Sequence, residues 1–163
     1  MSNILSGNKI IKTVLTPVQI GPLSSLKISE MFKDGRYFSP LGEEIIPLIF
    51  TDYIKNKSTT KKEYDGIIAG KFRTEVRTLT KNGLNTCPSY MIGASRTYNQ
   101  KEHSEVLDRN DYYIVMDSSD FPNITIYVLL STQELLFRNK SYKGAIKLLN
   151  KLCQGATIEN ILL

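Results

Sequence analysis

Hydrophobic residues recur along this chain with two periods, and the change between them marks its elements. Residues 64–68 and 72–79 are rich in β-branched and aromatic side chains and are separated by Ala69, Gly70 and Lys71, which predicts a hairpin with glycine in its turn. Residues 112–116 and 124–130 read as two further strands, joined through Ser118, Ser119, Asp120, Phe121 and Pro122. Helical spacing governs elsewhere. Leu26, Ile28, Met31 and Phe32 predict a short helix opening at Ser24 or Ser25 and stopping near Gly35. Residues 41–54 predict another, with Pro47 as a kink or first-turn residue. Ser131-Thr132-Gln133-Glu134 has the form of a capping box opening a short helix with Leu135 and Leu136. Ala145, Ile146, Leu148, Leu149 and Leu152 form the apolar face of a last helix that Gly155 ends. Residues 82–100, punctuated by Asn, Gly, Pro and Ser, read as a long, exposed, mostly irregular segment, and long loops in small domains usually carry function.

This order predicts an α/β chain whose mixed sheet of at least four strands is covered by helices on both faces. The length, 163 residues, fits a single domain over residues 1–163. The polar run of residues 55–62, with Ser58, Thr59 and Thr60, reads as a surface connection rather than a boundary.

Composition narrows the classes. Apolar runs such as residues 124–130 fall far short of the roughly 18 residues of a membrane span. Residues 1–9 are polar and lack the pattern of an export signal. Cys87 and Cys153 lie far apart, outside any zinc-ligand spacing. A reducing, cytoplasmic setting is expected. The net charge is +5, a modest bias toward polyanionic partners. Its distribution says more: residues 55–81 hold eight basic side chains (Lys55, Lys57, Lys61, Lys62, Lys71, Arg73, Arg77, Lys81) against the acids Glu63, Asp65 and Glu75.

Those acids carry the candidate chemistry. Asp65 stands on the first predicted hairpin strand, and Glu75 and Arg77 stand two apart on the second, so the latter pair shares a face while Val76 points to the core. Folding the hairpin returns Asp65 toward them. Two carboxylates beside one cation suit Mg²⁺, which takes one or two carboxylates plus waters and phosphate oxygens, and such an ion assists phosphodiester hydrolysis. The simpler alternative is a set of solvated cross-strand pairs.

The segment Tyr64-Asp65-Gly66-Ile67-Ile68-Ala69-Gly70-Lys71-Phe72-Arg73-Thr74-Glu75-Val76-Arg77 resembles the core motif of the PD-(D/E)XK, or restriction-endonuclease-like, superfamily, with nine residues between the two acids. The resemblance covers roughly residues 40–130 in element order. It implies a restriction-endonuclease-like core, metal held by Asp65 and Glu75, and a further acid from the preceding helix, for which Glu44 or its neighbour Glu43 is the candidate. Mg²⁺ would be the cofactor, with Mn²⁺ able to substitute. Tyr64 stands where the motif is named for proline, and Arg77 where it has lysine. An arginine stabilises phosphate charge but does not give up its proton near neutral pH, so Arg77 is expected to act as a cation and not as a base. Lys81, four residues on, is a second source of an ammonium.

Residues 81–100 follow the candidate catalytic strand directly. Lys81, Asn82, Asn85, Ser89, Tyr90, Arg96, Tyr98, Asn99 and Gln100 are side chains that can bond phosphates or base edges, and the segment is the expected DNA-reading element, with an ordinary surface loop as the alternative. His103, the single histidine, sits in a polar run and is expected to face solvent. A lone histidine gives no support to a His-metal finger nuclease, and no GxxxxGK[ST] phosphate loop occurs. Double-stranded DNA is therefore the expected partner, with no membrane association. Cutting both strands calls for paired sites, so a homodimer or dimer of dimers is expected. A Holliday-junction resolvase or repair nuclease, and a non-catalytic DNA-binding protein on the same fold, are the alternatives.

Overall fold

The computed structural model describes residues 7–15, 23–57 and 64–163, the side chain of Arg36 excepted. The readings of residues 1–9 as polar and of residues 55–62 as a surface connection fall largely outside these. Elements follow in the order β1 (Lys9–Val14), α1 (Ser25–Phe32), α2 (Gly35–Ile49), β2 (Ile54–Lys55), β3 (Gly66–Ile68), β4 (Phe72–Thr80), β5 (Gly83–Leu84), α3 (Gln100–Arg109), β6 (Tyr112–Asp117), β7 (Asn123–Leu130), α4 (Tyr142–Leu152) and β8 (Thr157–Leu162). Single 3₁₀ turns lie at Ser89–Met91 and Gln133–Leu135.

The strands join into one mixed sheet in the order β2-β3-β4-β6-β7-β1-β8, with β5 paired to β4 beside this path. Pairs β4–β6 and β1–β8 are parallel, and the other pairings are antiparallel. A parallel neighbour cannot be reached by a tight turn, and α3 makes the crossover from β4 to β6. Because β6 lies between two long strands and under helices on both sides, all six of its residues are buried. Its near-continuous apolar run, Tyr112 to Met116, is what such a position demands.

Each face of the sheet has its own core. On one, Phe38, Ile45, Ile46 and Ile49 of α2 pack on Ile68, Ile114, Met116, Ile126 and Val128, with Val76 against them. On the other, Leu107 of α3 and Ala145 and Leu149 of α4 pack on Leu79, Tyr113, Val115 and Leu129. No helix among the described residues is long and apolar enough to cross a membrane.

The hairpin of β3 and β4 forms as the sequence predicts. Lys71 N–H donates to the Ile68 carbonyl at 3.2 Å, and Ala69 and Gly70 both have positive φ, 53° and 68°, the backbone sense that a two-residue turn needs to match strand twist. Ser24 caps α1, its Oγ accepting from Lys27 N–H, and Ser141 caps α4, which ends before Gly155 at φ 74°.

Several expectations are corrected. Gly35 starts α2 instead of stopping α1, and α2 ends at Ile49, not at residue 54, after running through both Pro40 and Pro47. The expected capping box is a 3₁₀ turn whose cap is Thr132, not Ser131, because Thr132 Oγ1 reaches Glu134 N–H. Residues 82–100 are mostly irregular and, from 92 to 97, exposed, as expected, but their first part is not: Gly83 and Leu84 form β5, and Leu84, Thr86, Cys87, Pro88 and Met91 are buried. His103 is not solvent-facing but fully buried on α3. β1 and β8 are strands the pattern did not announce.

Candidate active site

The two strands of the hairpin fix the acids by backbone register. Gly66 pairs with Thr74, so the next antiparallel position places Asp65 opposite Glu75. Asp65 ends the regular ladder and continues it by other means. Its N–H donates to the Thr74 carbonyl at 2.9 Å, its carbonyl accepts from Asn56 N–H at 2.7 Å, and its carboxylate Oδ2 accepts from Val76 N–H at 2.9 Å. The Asp65 N–H and carboxylate thus hold it against β4 while its carbonyl ties it to the residue after β2, and the bond from Val76 N–H orients the carboxylate.

Glu75 and Arg77 point to the opposite face from Val76, the face that α3 and α4 cover. They form an ion pair through Glu75 Oε1 and Arg77 Nη2, with side chains only 9% and 16% exposed. The buried Nε and Nη2 of Arg77 make no hydrogen bond of good geometry, so charge rather than a directed bond carries this attraction. Burial alone would depress the Arg77 pKa; the Glu75 carboxylate, and after it Asp65, outweighs burial and holds the guanidinium above its ordinary value. Arg77 is a permanent cation at every accessible pH.

Tyr113 stands beside Glu75 in the parallel register of β4 and β6. Its hydroxyl is buried with no hydrogen-bond partner among the described residues, and burial together with the Glu75 anion raises its pKa well above the usual tyrosine range, so it faces the acid as a neutral phenol. Tyr90, nearby on the 3₁₀ turn, is pushed up to about 12 by burial and then by Glu102. Neither tyrosine was singled out with Glu75 from the sequence, because only the β4–β6 register brings Tyr113 there.

The structure does not bring the third candidate acid to this pair. Lys55 on β2 engages Glu43 at 2.8 Å and Glu44 at 3.6 Å, on α2, which packs on the Val76 side of the sheet. No group of three or more His, Cys, Asp or Glu side chains able to hold a metal occurs among the described residues. Of the basic side chains flanking the acids, Lys61 and Lys62 lie outside the described residues, while Lys57, Lys71, Arg73 and Lys81 are exposed.

The DNA-reading candidates divide in two. Asn85 Oδ1 accepts from Cys87 N–H at 2.8 Å, Arg96 Nη1 donates to the Ser89 and Ile92 carbonyls at 2.6 and 3.1 Å, and Asn99 caps α3 by accepting from Glu102 N–H. These build the segment. Lys81, Asn82, Ser89 and Gln100 remain exposed on it. Asn82, Asn85 and Ser89 also line a cleft of about 570 Å³ that reaches Arg77 and Thr78. Beneath it, His103 Nε2 lies 3.0 Å from the Thr86 carbonyl and Nδ1 lies 3.2 Å from the Tyr98 hydroxyl. A carbonyl only accepts, so the proton sits on Nε2 and Tyr98 donates to Nδ1. The histidine is a tie between α3 and the segment, and its polar sequence neighbours conceal that role.

Comparison with protein-family models, curated proteins and solved structures finds no match to this chain.

Proposed function

We propose that the chain is a Mg²⁺-dependent endonuclease that hydrolyses phosphodiester bonds in double-stranded DNA. The observation that supports this most is the register that sets Asp65 across from Glu75 with Arg77 on the Glu75 face. The donor set fits the ion, because two carboxylates on rigid strands match the one or two hard oxygen ligands that Mg²⁺ takes from protein. Asp65 and Glu75 would hold it. Once bound, Mg²⁺ or Mn²⁺ neutralises phosphate charge and makes water a better nucleophile.

The chain's own residues supply the rest. Arg77, fixed in charge, stabilises negative charge developing on the phosphate and takes no proton from water. Tyr113 keeps water from the inner side of Glu75. Glu44 could join the acids only by leaving Lys55, and its part in metal binding rests on the family resemblance. Lys81, Asn82, Ser89 and Gln100 are the exposed side chains placed to meet a duplex, and the finer reading is sequence-specific cleavage by a homodimer. One observation favours a second reading, a non-catalytic DNA-binding protein: Glu75 and Arg77 already neutralise one another in a buried pair.

Supercoiled, linear and four-way-junction DNA, incubated with the protein in Mg²⁺, Mn²⁺ and chelator, separates these. Asp65→Asn keeps an oxygen for Val76 N–H and should retain the fold by circular dichroism while losing at least about 100-fold in rate, as removal of several kcal/mol of charge stabilisation implies. Preference for the junction would identify a resolvase-like enzyme. DNA binding in chelator with no cutting in either metal would leave the non-catalytic reading.

A further inference from the structure

The two edges of the sheet are built differently. One ends in β2, two residues long, where Lys55 is exposed and engaged with the acids of α2. The other ends in β8, six residues long, with sequence Thr-Ile-Glu-Asn-Ile-Leu. Among the described residues no strand pairs with its outer side. Proteins protect such edges with lysine, proline, bulges or short strands, and β8 has none of these. Its only charge, Glu159, turns to Lys9 at 3.0 Å. On the face that Ile161 does not share, Ile158 is 56% and Leu162 94% exposed, beside Val14 at 50%.

We propose that the outer edge of β8 pairs with β8 of a second copy of this chain, antiparallel, to form one continuous sheet. A two-fold axis perpendicular to the sheet keeps each face continuous, so residues directly opposite must lie on the same face. Two central registers satisfy this. Centring on Glu159 would set two carboxylates opposite each other, a destabilising arrangement. Centring on Asn160 sets Asn160 opposite its own copy and Ile158 opposite the second chain's Leu162, twice, covering the two most exposed apolar side chains of the strand. Local charge does not oppose this occupant. Each copy carries a net +5, yet they meet at an edge whose only acid is already neutralised by Lys9. This inference is independent of the nuclease reading.

The register is tested by sedimentation and cross-linking of the full chain. The wild type should sediment at twice the 18.5 kDa chain mass at about 100 μM or below, within the range of a standard interface. Ile158→Lys, a change at an exposed side chain, should keep the far-UV circular dichroism of the folded chain and weaken the dimer at least about tenfold, or about 1.4 kcal/mol. Asn160→Cys should form a disulfide-linked dimer on mild oxidation, since opposed residues lie about 4.5–5.5 Å apart at Cα, within disulfide reach. Thr157→Cys should not, because its two copies would stand about 20 Å apart along the strands. The native Cys87 and Cys153 are buried and do not compete. A monomeric wild type, a dimer indifferent to Ile158→Lys, or a dimer without the Asn160→Cys link overturns the proposal.

Discussion

Neutralising Glu75 without touching Arg77 isolates the energetics of the site. Glu75→Gln leaves a guanidinium whose side chain is only 16% exposed beside Tyr113 and Cys87, with its opposite charge removed. Removing one member of a buried pair typically costs about 3–5 kcal/mol. Asp65 also acts on Arg77 and remains, which places the expected loss at the lower end, about 3 kcal/mol. For a chain of this length that corresponds to roughly 6–12 °C in Tm. Urea unfolding in chelator measures it, and chelator keeps any metal contribution out of the comparison. Replacing both partners, Glu75→Met with Arg77→Met, removes both buried charges and should recover most of the loss, giving a coupling of about 2 kcal/mol in the double-mutant cycle. A Glu75→Gln cost below about 1 kcal/mol, the size of an exposed pair, would refute the argument, since it would mean that Arg77 reaches water or another anion.

Two further outcomes follow from groups outside that pair. Burial, with a smaller contribution from Arg77, holds His103 below its ordinary pKa, against the bond to Thr86; the unfolded chain therefore takes up a proton near pH 6.5 that the folded chain refuses. Stability from this group is complete above pH 6.5 and falls as pH drops through it, by up to about 1.4 kcal/mol per unit, so urea midpoints at pH 7.5 and 5.5 should differ and His103→Gln should flatten that difference. Gly83 has φ 111°, and a Cβ there would lie 2.2 Å from the Lys140 carbonyl oxygen, whereas Gly70, φ 68°, has nothing within 4 Å. Gly70→Ala should cost about 1–2 kcal/mol from backbone strain alone, and Gly83→Ala distinctly more; equal losses in thermal melts would contradict the close contact of β5 with the start of α4.

What the sequence revealed and what it hid have physical causes. The β3–β4 hairpin was legible because Ala69-Gly70 fixes the turn, and β6, β7 and α4 because their apolar runs match a buried strand or a helical face. β1 was not: its core-facing side carries Lys9 and Thr13, buried at 5% and 3%, so the alternation of period two is blurred by polar residues that fold inward. β8 faces outward along most of its length and lacks a buried stripe. Residues 82–100 look like a loop by composition and largely are one, yet the burial of Leu84, Thr86 and Cys87 follows from docking against α3 and the segment after β7, a long-range contact invisible in local pattern. For the site, Asp65, Glu75 and Arg77 were legible because a hairpin sets their relation locally. Glu44 was not placed with them, since that depends on how α2 lies across the sheet and on the competing cation at Lys55.

The order of strands also sets a length. β4 lies four positions from β8, so in a sheet continued through paired β8 strands the two copies of β4 are nine strand spacings apart, about 40 Å at roughly 4.8 Å each. Both copies of Glu75 then belong to the same sheet face, the one that α3 and α4 cover. Along B-DNA, at about 3.4 Å per base pair, that separation is roughly a dozen base pairs, slightly more than one helical turn. Strand twist of roughly 20–25° per step turns one site by about half a revolution relative to the other over those nine steps, so the two sites point to opposite sides and a straight duplex that meets one runs past the back of the other.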